Sequence, residues 1–175
     1  RRVPTPPGRA VRPTPARVKE ALFSILGSRV PGARVLDLFA GTGALGFESL
    51  SRGAAHATFV EKHRPTAAAL RAAARELGVT AHVDVVNAPA ERAARALPGR
   101  YDLVFADPPY AHDYPHAAFA ALRERRAIDP ATTVVYEHSA REPAPQDPAM
   151  HVDRTERYGE VALVFMHPQP LDRAA

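Results

Sequence analysis

Asp107-Pro108-Pro109-Tyr110 is the stretch of this sequence whose residue types and order could do the most specific chemistry. A base's exocyclic amine has its lone pair delocalised into the ring. It becomes nucleophilic when acceptors hold its hydrogens in a pyramidal, reacting geometry. Asp107 can accept one hydrogen. The Pro108 carbonyl can accept the other, because consecutive prolines fix the backbone and point that carbonyl outward. Tyr110 can stack on the base, so that orientation toward a methyl donor supplies the rate without a strong general base. An isolated Asp-Pro-Pro is otherwise a turn that ends a strand.

A second stretch could hold a cofactor. Asp37-Leu38-Phe39-Ala40-Gly41-Thr42-Gly43-Ala44-Leu45-Gly46 contains a full G-x-G-x-x-G, and Glu61 follows Gly41 by twenty residues. Taken literally this is a dinucleotide fingerprint, with a glycine turn, a helix N-terminus for an anion and an acidic residue for ribose hydroxyls. An NAD-dependent oxidoreductase is therefore one reading. Asp37 argues against it, because a carboxylate four residues before the first glycine lies near where a pyrophosphate needs positive potential. S-adenosylmethionine, with a sulfonium, an ammonium and a ribose but no phosphate, suits Asp37 while Glu61 can still take the ribose. Asn87-Ala88 could meet an adenine, the Asn87 amide oxygen accepting from its amine and the Ala88 N–H donating to a ring nitrogen. An Asn at a strand end also serves as an ordinary turn residue.

These residues need elements to carry them. From Arg34, short β-rich runs alternate with helical ones: strands over 34–39, 56–61, 81–87, 101–106 and 132–137, and helices over 44–52, 65–77, 89–97 and 115–125. That rhythm predicts a mainly parallel sheet with right-handed crossovers and helices on both faces. Runs over 151–157 and 161–167 about Tyr158-Gly159-Glu160 predict a closing β-hairpin, giving a seven-stranded sheet. Thr14 is expected to cap a first helix with Pro15 at its first position, because Val18, Ala21, Leu22, Ile25 and Leu26 follow helical spacing. Both motifs then fall at strand carboxyl ends, facing each other across the switch-point crevice.

The chain of 175 residues is sized for one domain, and its 46% hydrophobic and 24% charged residues exclude a disordered or collagen-like chain. With no cysteine, a disulfide scaffold, a thiolate zinc site and a cysteine nucleophile are excluded. The histidines lack zinc-ligand spacing, so no metal is expected. No apolar run reaches the ~18 residues of a membrane span. The start, Arg1-Arg2-Val3-Pro4, lacks an initiator Met and a signal-peptide apolar region, so a cytoplasmic protein missing its natural N-terminus is expected. The net charge of +4 is concentrated at the front, where Arg1, Arg2, Arg9, Arg12, Arg17 and Lys19 face Glu20 alone. An arginine-rich, Pro-rich arm over 1–14 ahead of one domain over 15–175 makes a nucleic-acid partner plausible, since guanidiniums grip phosphate and stack on bases. A solvated tail is the plain alternative.

Together, Asp37 to Gly43, Glu61 and Asp107 to Tyr110 resemble the class I amino-methyltransferases, a Rossmann-like fold. Arg12-Pro13-Thr14 leading to Arg17-Val18-Lys19-Glu20-Ala21-Leu22-Phe23, followed by Gly43 to Glu48 and Leu50-Ser51-Arg52-Gly53, is similar to the RsmD family of bacterial 16S rRNA guanine-N2 methyltransferases. The resemblance runs from Arg12 through the hairpin. It implies S-adenosylmethionine as cofactor, and methylation of a guanine N2 in 16S rRNA, guanine 966 in standard numbering, within the 30S subunit or an assembly intermediate. By the same resemblance Thr14 and Arg17 close over the methionine end, Phe39, Ala40, Gly41, Thr42 and Gly43 wrap the cofactor, Glu61 with Lys62 takes the ribose, and Asn87-Ala88 the adenine. Asp107, Pro108, Pro109 and Tyr110 would be catalytic, with Asp107 also at the cofactor. Arg1, Arg2, Arg9 and Arg12 would contact RNA. The family usually carries a basic β-hairpin ahead of this arm, and the chain begins inside that region. A monomer is the default expectation. An adenine-N6 methyltransferase on DNA or another RNA, and an RNA-binding module with a vestigial cofactor loop, are the remaining alternatives.

Overall fold

The computed structural model describes residues 14–109 and 113–172. Tyr110 and the arm residues Arg1, Arg2, Arg9 and Arg12 lie outside the described residues. The elements are α1 (Ala16–Leu26), β1 (Arg34–Asp37), α2 (Ala44–Ser51), β2 (His56–Val60), α3 (Arg64–Glu76), β3 (Val83–Val86), α4 (Ala90–Ala94), β4 (Leu103–Ala106), α5 (His116–Glu124), β5 (Thr133–Ser139), β6 (Met150–Tyr158) and β7 (Val161–Pro168). The strands form one seven-stranded sheet in the order β3-β2-β1-β4-β5-β7-β6, parallel from β3 to β5 and antiparallel at β5–β7 and β7–β6. This is the expected doubly wound sheet with its closing hairpin. Strand order reverses between β1 and β4, which opens a crevice above their carboxyl ends.

Strand residues alternate between two cores because successive side chains leave opposite faces of a sheet. Val35, Phe59, Phe105 and Val135 pack with Leu22 and Phe23 of α1, Phe47 of α2 and Leu70 of α3. Leu36, Val60, Val104 and Val134 pack with Ala93 and Ala94 of α4 and Phe119 and Leu122 of α5. Three helices thus cover one face and two the other.

Some boundaries depart from expectation. Thr14 does not cap α1: Pro15 is the flanking residue, extended at ψ 141°, and no side chain caps the helix. The Thr14 hydroxyl donates instead to Glu137 Oε2 at 3.3 Å. Strand β3 begins at Val83 because Thr80–His82 forms a 3₁₀ turn. Helix α4 is only five residues, and the carbonyls of Arg95 and Leu97 beyond it accept from the Arg125 guanidinium rather than from further helix. β5 runs past Glu137 to Ser139, since β7 continues to pair with it as far as Ser139↔Val161.

Candidate active site

The crevice above the switch point is a cavity of about 1420 Å³ whose walls include Asp37, Glu61, Asp107 and Glu137. Asp37 lies in the same alternating set as Val35, and Asp107 and Glu137 in the sets of Phe105 and Val135, so all three project from the face that carries α1, α2 and α3. Register places them in height. Asp37 is level with Phe105 and Phe105 with Val135; the β4–β5 ladder ends at Ala106↔Tyr136, and Asp107 and Glu137 are the next residue of each chain toward the crevice mouth, close enough for their charges to act on each other.

Clustering carboxyls out of water disfavours ionisation. Burial pushes Asp107 up to about 8, with the charges of Glu137 and then Asp37 adding to the effect. Asp37 is pushed up to about 7, first by burial and also by Glu61. The backbone of Gly46 and of Phe39 beside it pulls the other way. Gly46 is the third residue of α2, so the electropositive N-terminal turn of that helix lies beside Asp37. Glu137 is also raised by burial, partly offset by the Thr14 hydroxyl. Such a site favours a ligand that brings positive charge.

The glycine turn forms one side of the cavity. Gly41 adopts φ 54° and Gly43 φ 78°, conformations that glycine takes without steric cost. The Gly41 N–H donates to Glu61 Oε2 at 3.1 Å and the His63 N–H to Glu61 Oε1 at 2.9 Å, so Glu61 fixes the turn opposite its own strand. Thr14, Arg17, Phe39, Ala40, Gly41, Thr42, Lys62 and Ala88 line the same cavity.

Two of the expected residues also have structural roles. Gly43 is not among the lining residues: a Cβ there would lie 2.6 Å from Leu70 Cδ2 and 2.7 Å from Phe47, so this glycine lets α2 and α3 approach the turn. Asn87 is exposed and also off the wall, and its amide nitrogen donates to the carbonyls of Glu61 (2.9 Å) and Lys62 (3.1 Å). It clamps the β2 and β3 ends together. The Ala88 N–H donates to the Val86 carbonyl at 3.2 Å, a long bond that turns the chain into the crevice wall.

Asp107, Pro108 and Pro109 line the opposite side. The Pro108 carbonyl accepts no backbone hydrogen bond from the described residues. Beyond them the cavity becomes aromatic. Tyr114 packs edge-on against Tyr136 at 5.1 Å, and Tyr136 stacks on His138 at 5.5 Å and 18°. The Tyr114 hydroxyl donates to Asp147 Oδ2 at 2.7 Å, tying the segment before α5 to the loop before β6. The sequence puts Tyr136, Glu137 and His138 at the crevice end of the fifth strand but gives them no chemistry beyond a structural role, and Tyr114 carries no motif. Their signal is positional: 136–138 close the strand beside β4, which becomes informative once strand order is known.

Fold, glycine turn and acidic crevice together define a class I methyltransferase. The sequence matches the family described as "Conserved hypothetical protein 95" over residues 1–167. It is 34% identical to YlbH of Bacillus subtilis (strain 168) over 156 residues, 87% of this chain and 85% of that protein. It is 41% identical to the Ribosomal RNA small subunit methyltransferase D of Escherichia coli (strain K12) over 112 residues, 63% of this chain and 55% of the enzyme's length. The solved structure of yhhF from Escherichia coli superposes with a TM-score of 0.84 at 31% identity, covering 98% of this chain and 93% of that one. The chain belongs to the Conserved hypothetical protein 95 family and is an RsmD-like methyltransferase.

Proposed function

We propose that this protein transfers a methyl group from S-adenosylmethionine to the exocyclic N2 of a guanine in small-subunit rRNA. One observation carries the reading: Asp107 closes β4 in a crevice whose other wall is the glycine turn, so an amine acceptor and a cofactor cradle face one cavity. The sequence relationship to a small-subunit rRNA methyltransferase supports the substrate class. A nicotinamide dinucleotide would set its pyrophosphate against buried Asp37, where like charges repel.

The residues present fit the cofactor. Gly41 and Thr42 let a ligand approach the backbone, Glu61 accepts from ribose hydroxyls, and Asp37 offsets positive charge above the turn. When bound, S-adenosylmethionine supplies an electrophilic methyl group on a cationic sulfur. Asp107 and the Pro108 carbonyl each accept one amine hydrogen, which turns the nitrogen lone pair outward. Methyl transfer turns the amine into a cation with one proton too many, and ionised Asp107 accepts it. The aromatic lobe of Tyr114, Tyr136 and His138 gives a base displaced from its helix or loop an apolar surface.

The test is incubation with S-adenosylmethionine and 30S subunits lacking guanine-N2 methylation, followed by nucleoside mass spectrometry. N2-methylguanosine is expected. N6-methyladenosine instead, or no methylated nucleoside despite cofactor binding, would overturn the assignment.

A further inference from the structure

Glu137 has no part in the methyl transfer itself, yet it and Asp107 each follow the last β4–β5 pair, Ala106↔Tyr136, line the same cavity, and lie close enough that Glu137 is the first-ranked charge acting on Asp107. Adjacent strands lie about 4.8 Å apart, so the two carboxyls form neighbouring acceptors on one wall. Glu137 Oε2 takes the Thr14 hydroxyl, and Oε1 takes no hydrogen bond from the described residues. A base edge that fits two acceptors side by side must present two donors side by side. Guanine does so, with its ring N1–H next to the N2 amine. Adenine and cytosine do not, because the ring nitrogen beside their exocyclic amine is an acceptor and would meet the Glu137 carboxylate lone pair to lone pair.

We propose that Glu137 selects guanine by accepting its N1–H while Asp107 accepts from the neighbouring N2 amine. This rests on the guanine-N2 reading and adds the residue that enforces it. Thr14 holds the acceptor: its hydroxyl fixes one oxygen of Glu137 and leaves the other for the base. The cofactor's positive charge, arriving in the same crevice, favours ionised Glu137, so the acceptor is completed when the methyl donor is bound. Chemistry is also specified by what the site lacks, since buried acceptors left facing a base without N1–H are unpaired.

The probe is 2-aminopurine, which keeps the 2-amine and carries an unprotonated N1. Small subunits are reconstituted with either guanine or 2-aminopurine at the position that the wild-type protein methylates. For wild type, kcat/KM is expected to be about 10- to 100-fold higher on guanine, the range for a directional base contact. Glu137→Gln presents an amide that can donate to N1 or accept from N1–H. It is expected to narrow that ratio to within about threefold, while calorimetry still shows the variant binding the cofactor. A wild-type ratio near one overturns the inference whatever the variant does, and so does an unchanged ratio in Glu137→Gln. Failure of wild type to methylate any guanine overturns the functional reading beneath it, a result distinct from methylation without discrimination.

Discussion

In the proposed reaction Asp107 is asked to do two things that burial sets against each other. Its position at a strand end among other carboxyls makes it a good acceptor for an amine but a poor free anion. Replacing it with Ala removes the acceptor while leaving the glycine turn intact. The expected result is a loss of about 10²- to 10³-fold in kcat, with calorimetric cofactor affinity changed by less than about threefold. The same burial fixes a pH dependence. Free carboxyls of this type titrate near 3.8, whereas folded Asp37 and Asp107 sit near 7 and 8. Between those values the folded chain binds more protons than the unfolded one, so stability from these groups is present at low pH and lost as pH rises through about 8. His56, held below its ordinary value chiefly by burial, contributes in the opposite sense. Comparison therefore isolates Asp107: without ligand, Asp107→Asn should gain melting temperature relative to wild type as pH rises from 5 to 8.5. A constant difference across that range would show that Asp107 ionises normally. Cofactor binding near pH 7.5 should release protons, read by calorimetry in buffers of different ionisation enthalpy.

At the scale of elements, glycine placement decides how closely helices approach the sheet. A Cβ on Gly46 would collide with the Phe59 ring of β2, its Cζ at 2.6 Å. Gly46→Ala should therefore cost about 1–3 kcal/mol in denaturant unfolding, the usual range for an overpacked core, and wild-type stability would contradict this packing. Much of the element plan was legible in sequence: alternating β and helical periods led to five parallel strands, and Tyr158-Gly159-Glu160 to the hairpin. Three details were not, each because a distant partner decides it. Thr14 looks like a cap locally, but Glu137 takes its hydroxyl. Asn87 reads locally as a turn residue or a base contact, and only the fold shows its amide nitrogen held by the carbonyls of Glu61 and Lys62. Glu137 carries no local motif, and only the pairing of β4 with β5 sets it beside Asp107. Spacing within a segment reports local geometry, whereas a wall shared by β1, β4 and β5 depends on strand order.

For the whole molecule, charge is divided by function. Carboxyls line the crevice, while the basic excess lies in the first twenty residues. If that excess grips RNA phosphates, affinity for small-subunit RNA should weaken steeply with salt. Replacing Arg9 and Arg12 by Ala should lower the magnitude of the log–log salt slope by about 0.7–0.9 per lost contact. An unchanged slope would place the phosphate contacts elsewhere. Among the described residues no helix is long and apolar enough to cross a membrane. The account turns on one claim, that the amine is held at Asp107 across from the cofactor cradle. The most direct test follows labelled methyl transfer from S-adenosylmethionine to undermethylated 30S subunits, with wild type and Asp107→Ala compared at matched cofactor saturation and the labelled nucleotide mapped. The account predicts label on the N2 of one guanine with wild type and at least a hundredfold slower labelling with the variant. Equal rates for the two proteins, or label on another atom, would contradict it.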